Sequence, residues 1–217
     1  SLPVIMAPFI VGRLISAGTY SSVYLVSIIF LIPLLAMIMA KFKSFKDENY
    51  QDLKMVVTAK KFLSNRNLFG VFMSGLLLNL FYAWMIIDMS KYLNINIGLP
   101  WSEIGLIFTI MLIPFVILEL PLGILADRKW GEKEIMVLGF LIMSLATISI
   151  SFITSVDWKI WALILFITRI GAASVEIATE SYFFKQVDGA DASLVGFYRI
   201  NRPLAYIIGP TLTSVFL

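Results

Sequence analysis

Charge is almost absent from long stretches of this chain. Residues 135–156 carry none, and Glu103 and Glu119 are the only charges between Trp101 and Ala126. An apolar run of about 20 residues spans a bilayer as a helix. This pattern therefore predicts an all-α, polytopic transmembrane bundle, and composition agrees. Hydrophobic residues make up 59% of the chain, charged residues 14%, and the mean hydropathy is +0.91. A soluble domain holds about 25% charged residues.

The segment 119–134, ELPLGILADRKWGEKE, joins two of the apolar runs. Asp127, Arg128, Lys129, Trp130, Gly131, Glu132 and Lys133 are expected to form a tight turn at the water-facing end of two helices. Gly131 would supply its backbone freedom, and the charges stay out of hydrocarbon because burying them unpaired is costly. Residues 1–16 read as the outer end of a helix too short to span alone. Complete spans are expected at 21–40, 67–90, 101–126, 134–155 and 158–183, with a sixth from near Ser193. Pro33 within the first span reads as a kink. The polar run 41–66 reads in part as an amphipathic helix on the membrane surface, on the spacing of Leu53, Val56, Val57, Phe62 and Leu63; the other reading is a solvated linker. Asn94, Gly98 and Pro100 mark a turn. Trp101, Trp158 and Trp161 stand near span boundaries, as interfacial anchors do. Tyr82 and Trp84 face either lipid or a solute path.

Basic residues set the orientation. With 41–66 in the cytoplasm, the turn at 127–133 and the loop at 184–192 also face inward. Only Arg13, Lys91 and Lys159 then fall outside, and Arg169 lies within a span. The protein is thus expected to be a multi-pass integral protein of the cell membrane with the lipid bilayer as its first partner. The net charge of +3 comes without a basic patch interleaved with stacking aromatics, so nucleic acid is not an expected partner. No cysteine or histidine is present, which removes thiolate metal sites, the commonest metal ligand and the usual proton shuttle. No cofactor and no metal are expected.

Charges inside spans need a reason, since each costs at least about 2.5–3.5 kcal/mol on insertion scales. Arg169, Ala173, Glu176 and Glu180 follow one another at steps of four, three and four, which places them on one helix face. Two carboxylates one turn apart in a low dielectric oppose each other's ionisation, so the pair is a candidate for taking up and releasing a proton. Arg169 is the candidate counter-ion. Structural ion pairing is the other reading, preferred for Glu180. Gly171, Ala172, Ala173 and Ser174 would let a neighbouring helix approach closely. Glu119 would pair across helices or line the inner half of a cavity. Asp88 reads as hydrated near the outer surface. Arg199 and Arg202 would meet carboxylates or helix C-termini, or serve topology alone.

Gly123-Ile124-Leu125-Ala126-Asp127-Arg128 followed by Gly131 and Lys133 resembles the signature G-x-L-A-D-R-x-G-R-[KR] of the major facilitator superfamily. One extra residue lies between Arg128 and Gly131, and Glu132 stands where a basic residue is usual. Ala7-Pro8-Phe9-Ile10-Val11-Gly12 and Gly209-Pro210 resemble the Gly-Pro ends of that family's fifth and eleventh helices, a repeat expected of parallel halves. Arg169-Ile170-Gly171 loosely resembles its R-x-x-x-G motif. The resemblance implies an incomplete major-facilitator-like bundle: 1–40 closing an N-terminal half, 41–66 a cytoplasmic linker, and 67–217 helices seven to eleven. Both chain ends read as cut, with about 170–200 further residues expected upstream from the family's half-length.

It also implies a secondary transporter moving a small solute by alternating access, with the aspartate and arginine of the turn latching the cytoplasmic ends of helices. Nothing resembles a phosphate-cradling G-x-x-x-x-G-K-[ST] loop, so ATP drive within the chain is not expected. Proton coupling is expected from the buried carboxylates. The alternatives are a polytopic membrane enzyme, for which Glu176 and Glu180 are the only close pair within a span and no G-x-S-x-G occurs, and a non-transporting receptor or scaffold.

Overall fold

The computed structural model describes residues 2–18, 20–41, 55–128, 130–187 and 192–216. Every regular element among these residues is a helix: α1 (Leu2–Ser16), α2 (Tyr20–Lys41), α3 (Met55–Ser64), α4 (Arg66–Ile95), α5 (Trp101–Arg128), α6 (Glu132–Ile150), α7 (Trp158–Gln186), α8 (Ala192–Arg199) and α9 (Asn201–Phe216). Five of them, α2, α4, α5, α6 and α7, are long and apolar enough to cross a membrane. α2 touches α1 and buries none of its side chains; Tyr24 and Phe30 are 71% and 70% exposed. An apolar run of this length, with no charge before Lys41, is what a bilayer-crossing helix requires.

α7 is the central rod, packed against α4, α5 and α6. Its small residues make this possible. A Cβ on Gly171 would stand 2.5 Å from the Gly139 carbonyl of α6, and one on Gly139 would stand 2.7 Å from the Gly171 carbonyl. The two backbones therefore meet without side chains between them, as the run Gly171–Ser174 led us to expect. α1 meets α5 in the same way, with a Cβ on Gly12 falling 2.5 Å from the Trp101 carbonyl.

The ends of the rods are set by local chemistry. The Asn65 side chain accepts from the amides of Asn67 and Leu68 at 3.0 and 3.4 Å, opening α4. Asp157 accepts from Lys159 N at 3.0 Å and opens α7. Gly98, at φ +83°, turns the chain between α4 and α5, where Asn94 Nδ2 donates to the Leu99 carbonyl at 2.9 Å.

Several expectations are corrected. α4 runs five residues past the expected end at 90, and the fourth span stops at Ile150 instead of 155. The turn is shorter than 127–133: Asp127 and Arg128 belong to α5, and Glu132 and Lys133 to α6. Gly131 is the N-cap of α6 at φ −70°, ψ 156°, a conformation open to any residue, so backbone freedom is not its role. The last span is broken at Ile200. Pro203 cannot donate to the carbonyl of Arg199 four residues back, and its ring crowds that carbonyl, so α8 ends there. The chain resumes as α9, with Leu204 N donating to Ile200 O at 3.0 Å. Trp161 is not an interfacial anchor. It is fully buried beside Leu93, Leu99 and Leu165, and its indole N–H donates to the Ser155 carbonyl at 2.8 Å. Trp158 and Trp101 lie at the edge of that cluster, only partly buried.

The polar run yields α3 over its last part; Leu53 and the rest of 42–54 lie outside the described residues. α3 docks on α4 and α8 through Phe62, which is 2% exposed and packs among Phe72, Phe183 and Phe197. Val56, Val57 and Leu63 remain on its open face.

Candidate functional site

Helix periodicity carries Arg169, Glu176 and Glu180 down one face of α7, and that face lines a cavity of about 1070 Å³. α1 contributes Ala7, Pro8 and Val11 to the wall. α4 contributes Asn79 and Tyr82, α5 Met111 and Phe115, and the α8–α9 segment Tyr198, Arg199, Asn201 and Arg202. A smaller opening of about 240 Å³ adjoins it through Leu112, Phe115, Glu176 and Glu180, and Glu119 lines this opening. Three carboxylates from two helices thus collect towards the end of the bundle where α5 meets α6. Glu119 and Glu180 are exposed there, while Glu176 is half-buried.

The expected pairing of Arg169 with a carboxylate does not occur. Tyr82 stands between them. Its hydroxyl donates to Glu176 Oε2 at 2.7 Å, and its ring carries the Arg169 guanidinium at 5.0 Å from the centroid. Phe81 offers a second ring face at 5.7 Å, and Phe115 holds the Tyr82 ring edge-on at 6.1 Å. Ring quadrupoles thereby take part of the role assigned to an anion. Arg169 is 2% exposed, and its Nε and Nη2 make no hydrogen bond.

Sequence reasoning missed two other groups. Thr179 and Asn201 are 1% and 3% exposed and line the same cavity. Thr179 Oγ1 and both side-chain polar atoms of Asn201 have no protein partner. Thr179 falls between Glu176 and Glu180 in sequence and carries no charge to draw attention. Asn201 becomes visible only through the break at Ile200, which opens α9 against Gly75; a Cβ there would lie 2.8 Å from Asn201 Nδ2. Tyr82 lines the cavity, while Trp84 is not part of its lining; it is 41% exposed, with its indole N–H donating to the Gly209 carbonyl at 3.1 Å. Asp88 is not merely hydrated: it accepts from the Thr213 hydroxyl at 3.0 Å. Arg199 and Arg202 are both exposed at the cavity wall.

The described side chains of the turn do not line this cavity. The side chains of Asp127 and Arg128, and Lys129 altogether, lie outside the described residues. Gly123 has open space where a Cβ would be, and Lys133 is exposed. Glu132, the acid at a usually basic position, accepts from Lys185 Nζ in an ion pair, with the Ser181 hydroxyl at 3.4 Å. That pair ties the start of α6 to the end of α7. No group of acidic, His or Cys residues able to hold a metal occurs among the described residues.

Apolar rods around a solute-sized, charge-lined cavity make a multi-pass membrane protein. The family model of the Major Facilitator Superfamily matches residues 67–217. The chain belongs to this superfamily and is an integral membrane transporter of a small-molecule substrate. No curated protein and no solved structure matches the chain.

Proposed function

We propose that the protein is a secondary active transporter working by alternating access and coupled to protons, in the cell membrane, with the turn between α5 and α6 facing the cytoplasm. On this reading 1–40 closes an N-terminal half, 41–66 is the linker and 67–217 is the C-terminal half; the family match beginning at residue 67 supports that division. The observation that carries the reading is the asymmetry of the cavity. At the Trp101 end, Gly12 and Gly105 bring α1 and α5 into backbone contact. At the other end, Glu119 and Glu180 are exposed. We read the α1–α5 contact as the closed side and the carboxylate end as the accessible one, the asymmetry expected of one end state of an alternating carrier.

Coupling is assigned to Glu176. Ionised, it is an acceptor for the Tyr82 hydroxyl; protonated, it becomes a donor as well, and the Tyr82 ring that carries Arg169 loses its charge-assisted anchor. The proton thus acts on the same side chain that shields the cavity's buried cation. Asp127 and Arg128 are assigned the latch on the strength of the resemblance alone, with the Glu132–Lys185 pair as its structural neighbour.

The test is proton entry into sealed liposomes holding the intact protein and an internal pH dye, after addition of mixed small carboxylates, amines and neutral solutes. Solute-dependent acidification should appear, vanish in Glu176→Gln and collapse with an uncoupler. Solute uptake that is unchanged in Glu176→Gln and Glu119→Gln, and indifferent to the uncoupler, rules proton coupling out.

A further inference from the structure

The cavity contains polar groups that the protein itself leaves unanswered. Buried polar atoms are nearly always partnered. Here Arg169 Nε and Nη2, Thr179 Oγ1, and Asn201 Nδ2 and Oδ1 are all buried, all unpartnered, and all belong to residues lining one cavity. A buried cation without a paired carboxylate is costly. The nearby acid on the same helix face, Glu176, already has one oxygen engaged by Tyr82.

The identity of the open atoms is informative. Nε and Nη2 share one edge of the guanidinium plane. That edge grips both oxygens of a carboxylate in two parallel hydrogen bonds, which a point charge such as an ammonium does not match. Asn201 offers a donor and an acceptor, and Thr179 a hydroxyl. The α5 wall, with Phe108, Met111, Leu112 and Phe115, offers apolar surface. Besides Arg169, the charges lining the two openings are three carboxylates, Glu119, Glu176 and Glu180, against two guanidiniums, Arg199 and Arg202, so no surplus positive charge is left there for a second carboxylate.

Accepting the cavity as the transport site, we propose that its substrate is a small organic monocarboxylate bearing at least one further hydrogen-bonding group. The carboxylate sits on the Nε–Nη2 edge of Arg169, the polar group meets Thr179 and Asn201, and the apolar body lies along α5. Arg169 thereby receives from the solute the counter-charge that the helices withhold.

The test uses the intact protein in lipid nanodiscs and three solutes with one shared body: 4-hydroxyphenylacetate, tyramine and tyrosol, which differ in carrying a carboxylate, an ammonium or a hydroxyl. Lactate and 3-hydroxybutyrate test shorter carboxylates. Binding is read as a concentration-dependent rise in melting temperature. At least one carboxylate should bind tenfold or more tightly than tyramine and tyrosol. Arg169→Gln should weaken it at least tenfold, and Arg169→Lys should fail to restore it. Asn201→Asp, nearly isosteric, should repel the carboxylate while the protein still melts cooperatively. Gly70→Ala, where a Cβ meets open space, should bind as the parent does. The proposal is overturned if no carboxylate binds, if tyramine or tyrosol binds equally well, or if binding survives Arg169→Gln. Leu112→Cys carrying a bulky maleimide on this cavity-lining position obstructs the cavity and separates the two levels of failure. Amine or alcohol binding blocked by it leaves the cavity as the site and the substrate class wrong. Solute transport that persists in it overturns the transport site itself.

Discussion

Gly105→Ala tests the closed end of the cavity with the smallest side chain available. Its Cβ would stand 2.5 Å from the Pro8 carbonyl oxygen and 3.1 Å from Gly12 Cα. Both are backbone atoms of α1, so no rotamer change relieves the overlap. Comfortable contact between carbon atoms is about 3.5–4.0 Å, so α1 must retreat by roughly 0.5–1 Å. Overpacking of this kind costs about 1–3 kcal/mol. On the proposed alternation the contact exists in one end state only, so the cost falls on that state. An energy of about 1–3 kcal/mol shifts a two-state equilibrium about 5–150-fold. Residues 1–217 hold no cysteine, so spin labels at Ala17→Cys and Glu103→Cys, a few residues from the contact, sit on the only thiols in this chain. Their distance distribution in nanodiscs should be mainly short in the parent and gain a long component in Gly105→Ala. Gly70→Ala is the matched control, because nothing lies within 4 Å of its Cβ. An unchanged distribution in Gly105→Ala, or an equal shift in the control, refutes the close α1–α5 contact as the closed end.

Trp161→Ala removes a fully buried ring and leaves the Ser155 carbonyl without its donor; a loss of about 3–5 kcal/mol is expected, read by unfolding in mild detergent, with half-buried Trp158→Ala costing clearly less. Glu132→Gln and Lys185→Met break a pair whose lysine is 51% exposed. A double-mutant cycle should give a coupling of about 0.2–1 kcal/mol that fades in high salt, and a larger, salt-independent value means the pair is shielded from water. Cysteine placed at Lys133 should react with an impermeant maleimide only after the inner face of the membrane is exposed, and cysteine at Val156 should react in intact cells. The reverse pattern inverts the proposed orientation.

Much of the architecture was legible along the chain because a membrane imposes a length on every rod. The runs near 21–40, 101–126 and 158–183 became α2, α5 and α7 within a few residues. The superfamily itself was legible in the 123–133 resemblance. Ends were less legible: α4 extends to Ile95, and Pro203 divides the last span, an effect of one ring on one carbonyl four residues away. Within the site, the 169–173–176–180 spacing placed three charges on one face correctly, but it was silent about what that face meets.

That silence has a physical cause. The chain alone determined its solvent, its helical character and the faces that share a side, since these follow from transfer energies and the helix period. Lipid is as apolar as leucine, so hydrophobicity does not distinguish the side of a rod that faces hydrocarbon from the side that faces another rod. Packing alone decided that Trp161 is buried and that Gly139 meets Gly171. Packing likewise brought Tyr82 to Glu176 across 94 positions of sequence, leaving Arg169 with ring faces for company and one open edge.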